Sequence, residues 1–248
     1  MKRAAKPPKV AKARPSKPTK ERRSRSEQVE TTWLTADGYR LSDRLVAVDR
    51  SRSGGEFVAA LANEVMDRHI RRGRRGLAVC GAAQGAGVSF VAANLAVTLA
   101  QLGVSTLLVD TNLNAPGLEV LFTPPAPGPG LSDLLASPGA ALAGTIRSHV
   151  LPRLSILYAG SLVGGEADGL GSDRFGEIVR SCLRDHECTI FDTPPANRST
   201  GARLVSAAAG YALLVARCRV TFTDDIEMLT AQLAQDEVSI VGSVLNAA

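Results

Sequence analysis

Beyond Lys20 the sequence has no lysine, although 29 of its 248 residues are Lys or Arg. A site in the remaining chain that needs a cation must use arginine, reach for the first twenty residues, or take the charge from a partner. Aromatic residues make up only 4% of the chain, and its three tyrosines are Tyr39, Tyr158 and Tyr211. No apolar run approaches the length of a membrane span, and the basic N-terminal stretch has no apolar core of the kind a secretory leader carries. Cys80, Cys182, Cys188 and Cys218 show no CxxC or Cys/His spacing, and His69, His149 and His186 are scattered. These spacings exclude a zinc motif and a disulfide framework. The cysteines read as small buried hydrophobes in a reducing compartment.

What is abundant is basic charge at one end. Residues 1–25 hold eleven of the basic residues and one acid, Glu21, with Pro7, Pro8, Pro15 and Pro18 interrupting any helix. Such a segment buries too little apolar surface to offset its ordering entropy, so residues 1–30 are expected to be a disordered basic tail. The other residues carry a net charge of −5, so the pI of about 9.3 belongs to the tail. A solubilising leader, an anionic membrane surface met through residues 2–25, and a nucleic-acid arm are the readings of that tail. The acidity of the remainder argues against nucleic acid.

From Gly76 onward, short apolar runs alternate with helical stretches. Leu77–Cys80, Thr106–Asp110, Leu154–Tyr158, Cys188–Asp192, Ala212–Ala216 and Ser239–Leu245 are apolar on both faces, as a buried parallel sheet requires. Ser89–Leu102, Arg174–Asp185 and Asp224–Gln235 supply helices between them, the first with Gly103 as its stop. The order predicts a doubly wound, mainly parallel α/β fold over 76–248 with helices on both faces. Residues 31–75 form an N-terminal extension. Within it Glu56–Arg72 reads as an amphipathic helix with Phe57, Leu61, Val65 and Met66 on one side, ended by Gly73 and the cluster Arg71, Arg72, Arg74 and Arg75. The proline- and glycine-rich stretch 124–140 reads as a loop.

The first strand runs into Gly81-Ala82-Ala83-Gln84-Gly85-Ala86-Gly87-Val88-Ser89 and then a helix, the context of a GxxxxGK[ST] phosphate loop. Glycines let successive N–H groups curl into an anion nest at a helix start, and Ser89 falls where the hydroxyl ligand of Mg²⁺ belongs. The lysine position is Val88. The first glycine is also displaced by one residue, since the strict pattern would place it at Ala82. Asp110 and Asp192 end two other strands on the side where α/β folds bind ligands. One such carboxylate is usually a cap or loop anchor. Two beside a phosphate-type loop point to a magnesium–nucleotide site, with Ser89, Asp110 and Asp192 as metal ligands.

From about Glu56 to the C-terminus the sequence resembles the cytoplasmic domain of bacterial tyrosine kinases of the Wzc type, in the MinD/ParA branch of P-loop proteins. The resemblance runs in one order through the loop and Ala92-Ala93-Asn94-Leu95-Ala96, Leu108-Val109-Asp110 to Pro116 and Phe122, Gly130-Leu131-Ser132-Asp133-Leu134-Leu135 and Ala159-Gly160. It continues through Ser172-Asp173-Arg174-Phe175, Asp192-Thr193-Pro194-Pro195 and Val244-Leu245-Asn246. It implies a P-loop NTPase-like fold and ATP or ADP with Mg²⁺. The implied nucleotide contacts are Gly81, Gly85, Ala86, Gly87, Val88, Ser89, Phe90 and Asn246, and Asp110 and Asp192 are the implied catalytic carboxylates of an active member.

Four departures qualify that implication. Val88 replaces the family's lysine. Asn112 and Asn114 replace the second acid and the arginine after the second strand. Ala59 and Ala62 follow Glu56 where the family's Glu-x-x-Arg-x-x-Arg assembly pattern has arginines. The sequence given shows no tyrosine-rich tail. The expectation is a catalytically degenerate relative acting in the cytoplasm, at the periphery of the inner membrane, as partner of a membrane-embedded polysaccharide co-polymerase or export protein. Two alternatives stay open. One is an active ATP-dependent tyrosine kinase in which an arginine stands in for the lysine. The other is a ParA/MinD-like ATPase, although that family's second lysine would fall near Ala83.

Overall fold

The computed structural model describes residues 33–49, 54–137, 139–161 and 169–247; the basic tail lies outside the described residues. Among the described residues ten strands are formed: β1 (Trp33–Leu34), β2 (Arg40–Leu41), β3 (Gly76–Gly81), β4 (Thr106–Asp110), β5 (Phe122–Thr123), β6 (Arg147–Leu151), β7 (Leu154–Leu157), β8 (Cys188–Asp192), β9 (Tyr211–Arg217) and β10 (Ser239–Asn246). The α-helices are α1 (Gly55–Arg68), α2 (Val88–Gln101), α3 (Leu118–Leu121), α4 (Leu131–Ala136), α5 (Asp173–Asp185), α6 (Gly201–Ala209) and α7 (Thr223–Gln235).

Seven strands form the central sheet in the order β10-β9-β3-β8-β4-β7-β6, parallel throughout except for the antiparallel β6–β7 edge pair. The alternation of side chains along each strand splits the interior into two cores. On β3, Leu77 and Val79 face the core built with α1 and α2, whereas Ala78 and Cys80 face the one built with α5, α6 and α7. This is the doubly wound, two-faced architecture expected, and every strand anticipated from the apolar runs is present.

Helix α2 is buried almost all round. Its alanines, Ala92, Ala93, Ala96 and Ala100, admit the sheet on one side and α1 on the other. Residues 33–49 cover it further. Buried Asn94 accepts from Ala47 N (3.0 Å) and donates to the carbonyls of Arg44 (3.2 Å) and Phe90 (2.9 Å), while Gln101 donates to Ala47 O (2.9 Å). β2 pairs antiparallel with both β1 and β5 in a small separate sheet.

Several expectations are corrected. The stretch 124–140 is not loop throughout, because α4 forms inside it. Asp133 accepts from Gly130 N (2.8 Å), closing the helix start, and Leu131 and Leu134 are fully buried, which no run of prolines announces. The helix expected over Glu56–Arg72 ends at Arg68, followed by a 3₁₀ turn and Gly73 at φ 77°. Its buried line is Val58, Ala62 and Val65, and Phe57 is 51% exposed. Among the cysteines, Cys218 is exposed at the end of β9, whereas Cys80, Cys182 and Cys188 are buried as expected.

Candidate functional site

The turn from β3 into α2 is shaped by two glycines in the left-handed region, Gly85 (φ 81°) and Gly87 (φ 93°). At Gly87 a side chain is also excluded by contact, because a Cβ there would collide with the Asn246 amide. Asn246 ends β10 opposite Arg217 at the end of β9. It donates to Ala86 O (3.2 Å), and Arg217 Nη1 donates to Gly85 O (3.1 Å). Two adjacent strand ends thus hold two successive loop carbonyls.

Val88 opens α2, and its side chain folds back over the start of the loop. A Cβ on Gly81 would lie 2.6 Å from Val88 Cγ2, so Gly81 is needed to let the valine settle there. The lysine position is therefore filled by a packed apolar group.

On the other flank lie the carboxylates. Asp110 and Asp192 are register partners on β4 and β8, and both are completely buried. Asp110 accepts from the backbone N–H groups of Asn112 (3.1 Å), Gly117 (3.0 Å) and Leu118 (3.1 Å). Burial pushes its pKa up to about 6, against the lowering effect of those three bonds. These bonds fold residues 112–118 back over the loop and lay Gly117 against Ser89. A Cβ on Gly117 would lie 2.6 Å from Ser89 Oγ and 3.7 Å from Asp192 Oδ2.

Asp192 differs from Asp110 in one decisive respect. Neither of its oxygens has a hydrogen-bond partner among the described residues. The Ser89 hydroxyl approaches and lowers its pKa in part, but burial and then the neighbouring Asp110 charge raise it well above the usual carboxylate range. A buried, unpartnered carboxylate beside a second one is costly unless a proton or a cation joins it. The donor set of Ser89 Oγ and Asp192, with Asp110 behind, fits a hard divalent cation.

A cavity of about 380 Å³ opens over this turn, within the usual range of small-molecule sites. Gly85, Ala86, Gly87, Val88, Ser89 and Phe90 line it. Gly81, Asn246, Asp110 and Asp192, also expected at the site, are not among the residues that line it. Asn112, Gly117 and Thr193 also border the cavity, as do two residues the sequence analysis did not single out, Arg44 and Arg217. Arg217 stands at the carboxyl end of a parallel strand, a position that could have flagged it. Arg44 had no such signal, because its place depends on how the extension folds over α2.

The chain matches no protein-family model. It is 29% identical over 171 residues to the tyrosine-protein kinase wzc of Salmonella typhimurium, covering 68% of this chain and 23% of that protein. It is 24% identical over 191 residues to the putative tyrosine-protein kinase CapB of Staphylococcus aureus, covering 77% and 83%. The chain thus spans about a quarter of the first relative and most of the second. Among solved structures, the kinase domain of Escherichia coli tyrosine kinase ETK superposes with a TM-score of 0.76 at 27% identity, covering 82% of this chain and 79% of that one. The septum site-determining protein MinD of Pyrococcus horikoshii, complexed with Mg-ADP, shares the fold at a TM-score of 0.60 and 20% identity, covering 70% of each chain.

Proposed function

We propose that this chain, similar in sequence and fold to bacterial tyrosine kinases, is a catalytically degenerate member of that branch of the MinD/ParA P-loop proteins. In this reading it binds Mg²⁺ with ATP or ADP and serves as cytoplasmic partner of a membrane-embedded polysaccharide co-polymerase or export protein. The observation that carries the reading is Val88 packed onto Gly81 in a loop that keeps Gly85, Gly87 and Ser89.

The roles follow from the site. The backbone N–H groups of Gly85, Gly87, Val88 and Ser89 would meet phosphate at the positive start of α2, while that of Ala86 donates to Ala83 O within the loop. Ser89 Oγ and Asp192 would hold Mg²⁺, which would supply neutralising charge for the phosphate oxygens. Asp110 keeps its three backbone bonds and holds Gly117 on Ser89, so it positions the metal side of the site. A missing charged hydrogen bond to phosphate costs about 1.5–3 kcal/mol, roughly 10- to 150-fold in affinity, which binding can survive. Phosphoryl transfer depends almost wholly on positioned charge and survives less well. Asn112 lacks the second acid that would assist the metal.

For the partner, the support is the likeness to the Wzc-type tyrosine kinases. Attachment to a membrane protein at the periphery of the inner membrane is the reading, with residues 2–25 meeting anionic lipid. Deleting residues 2–25 should release the protein from the membrane fraction, and unchanged association would remove the tail from the scheme.

Calorimetric titration with ATP and ADP, with and without Mg²⁺, tests the site on the unmodified chain and on Val88→Lys. Measurable, Mg²⁺-dependent affinity that Val88→Lys strengthens by roughly tenfold or more is expected. Silence from both proteins would make the cavity vestigial. Tyrosine labelling by the unmodified chain at about 1–100 s⁻¹, the range of working kinases, would overturn the degenerate assignment.

A further inference from the structure

We infer that β10 is the docking edge for an acidic, extended segment of another protein, which adds to the seven-stranded sheet as a further strand with its acids against Arg72 and Arg74. The inference goes beyond the nucleotide site and does not depend on it.

The two edges of the sheet are built differently. β6, at one edge, carries Arg147 and His149, and its pairing with β7 is irregular between Arg147 and Leu151. Charge and irregularity of that kind keep an edge from pairing with other chains. β10, at the other edge, has no charged residue and no proline over its eight residues. Among the described residues it pairs with β9 alone, and its one register shift, between Ile240 and Gly242, leaves 242–246 regular. Ser239, Ile240, Ser243 and Leu245 are exposed. The strand thus presents an edge of backbone donors and acceptors with little to deter a further strand.

What flanks the edge selects the occupant. A cavity of about 370 Å³ at its start is lined by Arg68, Arg72 and Arg74 together with Ile240 and Val241. Arg68 is paired with Glu64 (2.6 Å), and Arg74 lies over the Tyr211 ring. Arg72 is exposed and, among the described residues, lies outside the ion pairs. Exposed Glu237 precedes the strand by two residues, and Arg72 and Arg74 outweigh it. At the far end Cys218 N donates to Asn246 O (3.1 Å), which brings exposed Arg219 beside the end of the strand.

A second copy pairing antiparallel across a two-fold axis would set Arg72 and Arg74 of one protomer against Arg219 of the other, like charge on like. The chain's own residues 1–25, with eleven basic residues, meet the same repulsion. A lipid surface engages the arginines and leaves the backbone edge unused. An acidic extended segment uses both. Strand addition takes its affinity from main-chain bonds, and the arginines set the sign of charge that it prefers.

Hydrogen exchange on the full chain tests this, read by mass spectrometry at residues 239–246 while a synthetic peptide is titrated. The peptide alternates threonine and valine and carries glutamates at both ends. At about ten times its Kd it should slow exchange at 239–246 by about tenfold. Arg72→Glu should raise that Kd about threefold or more without moving the melting temperature, and lysines in place of the peptide's glutamates should cost a similar factor. N-methylation of alternate peptide residues should abolish the protection, because a methylated amide cannot join the ladder. No protection by the glutamate peptide, or equal protection by the lysine or methylated one, would overturn the inference. Protection that grows with protein concentration in the absence of peptide would overturn it in favour of a contact between copies. Protection by phosphatidylglycerol vesicles with the peptide silent would overturn it in favour of a lipid-facing surface.

Discussion

Among the described residues, Asp192 at the carboxyl end of the central sheet and His69 at its amino end are both buried without a hydrogen-bond partner. The two sites look alike in kind and differ in consequence. Asp192 sits beside its register partner Asp110 and close to the hydroxyl of Ser89, a residue that lines the cavity. His69 is sealed: neither ring nitrogen finds a hydrogen-bond partner among the described residues, and its ring meets Tyr211 edge-on with centroids 4.9 Å apart. Arg74 lies over the same tyrosine ring, 4.7 Å from its centroid. A ligand can relieve the first site. Only unfolding relieves the second. An unsatisfied polar group is therefore not a mark of function until something is shown to be able to satisfy it.

The largest effect expected on this comparison is the acid sensitivity of the His69 end. Burial above all, with the Arg74 charge adding to it, lowers the His69 pKa to about 4 from an ordinary 6.5. The folded state then binds fewer protons than the unfolded one between those values. Stability is full above about pH 6.5 and is lost as pH falls toward 4, by up to about 3 kcal/mol. Denaturant unfolding followed from pH 7.5 to 4.5 should show this slope, and His69→Leu should flatten it. An unchanged slope in that variant would mean that the ring is not the group being protonated.

Asp192 has the opposite sign. Its raised pKa makes the folded state bind more protons than the unfolded one, so its contribution weakens as pH rises above the ordinary carboxylate value. Replacing the carboxylate with an amide removes the buried charge. Asp192→Asn should therefore raise stability near neutral pH by about 2 kcal/mol while removing Mg²⁺-dependent nucleotide binding. Chemical denaturation and titration on the same sample separate the two. A variant that loses stability would show the carboxylate to be a structural group, and the contrast between the two ends would collapse.

The sequence discloses these regions unevenly, for physical reasons. Buried parallel strands must be apolar on both faces, so Leu77–Cys80 or Cys188–Asp192 announce themselves in any order of reading. Gly85, Gly87, Ser89, Asp110 and Asp192 are equally legible, because a nest and a carboxyl-edge acid each need a specific residue type at a specific place. Short elements are not. Strands β1, β2 and β5 have two residues each, and β6 alternates with charged and polar residues at an exposed edge. α4 depends on Asp133 closing back onto Gly130 amid prolines. Arg44 depends on a tertiary bond to Asn94, half a hundred residues away along the chain. His69 looked incidental because its burial follows from where α1 stops, and the periodicity put that stop four residues late.

The smallest effect concerns Gly117, which sharpens what the carboxyl end is built for. A Cβ there would stand 2.6 Å from Ser89 Oγ and 3.0 Å from Ser89 Cβ, so alanine must push the serine or its own segment aside. The backbone at Gly117 has φ −110°, which any residue adopts, so the cost of Gly117→Ala is contact alone. The three bonds that Asp110 makes to 112–118 resist the shift and spread it, which keeps the stability loss near 1 kcal/mol. Ser89, which would share the metal with Asp192, bears the displacement. Mg-ADP affinity should therefore fall by roughly tenfold, while ADP without Mg²⁺, held by the nest, should bind almost as before. Equal losses with and without Mg²⁺ would show that Gly117 supports the loop as a whole, and that Ser89 and Asp192 do not form a separate metal side to the site.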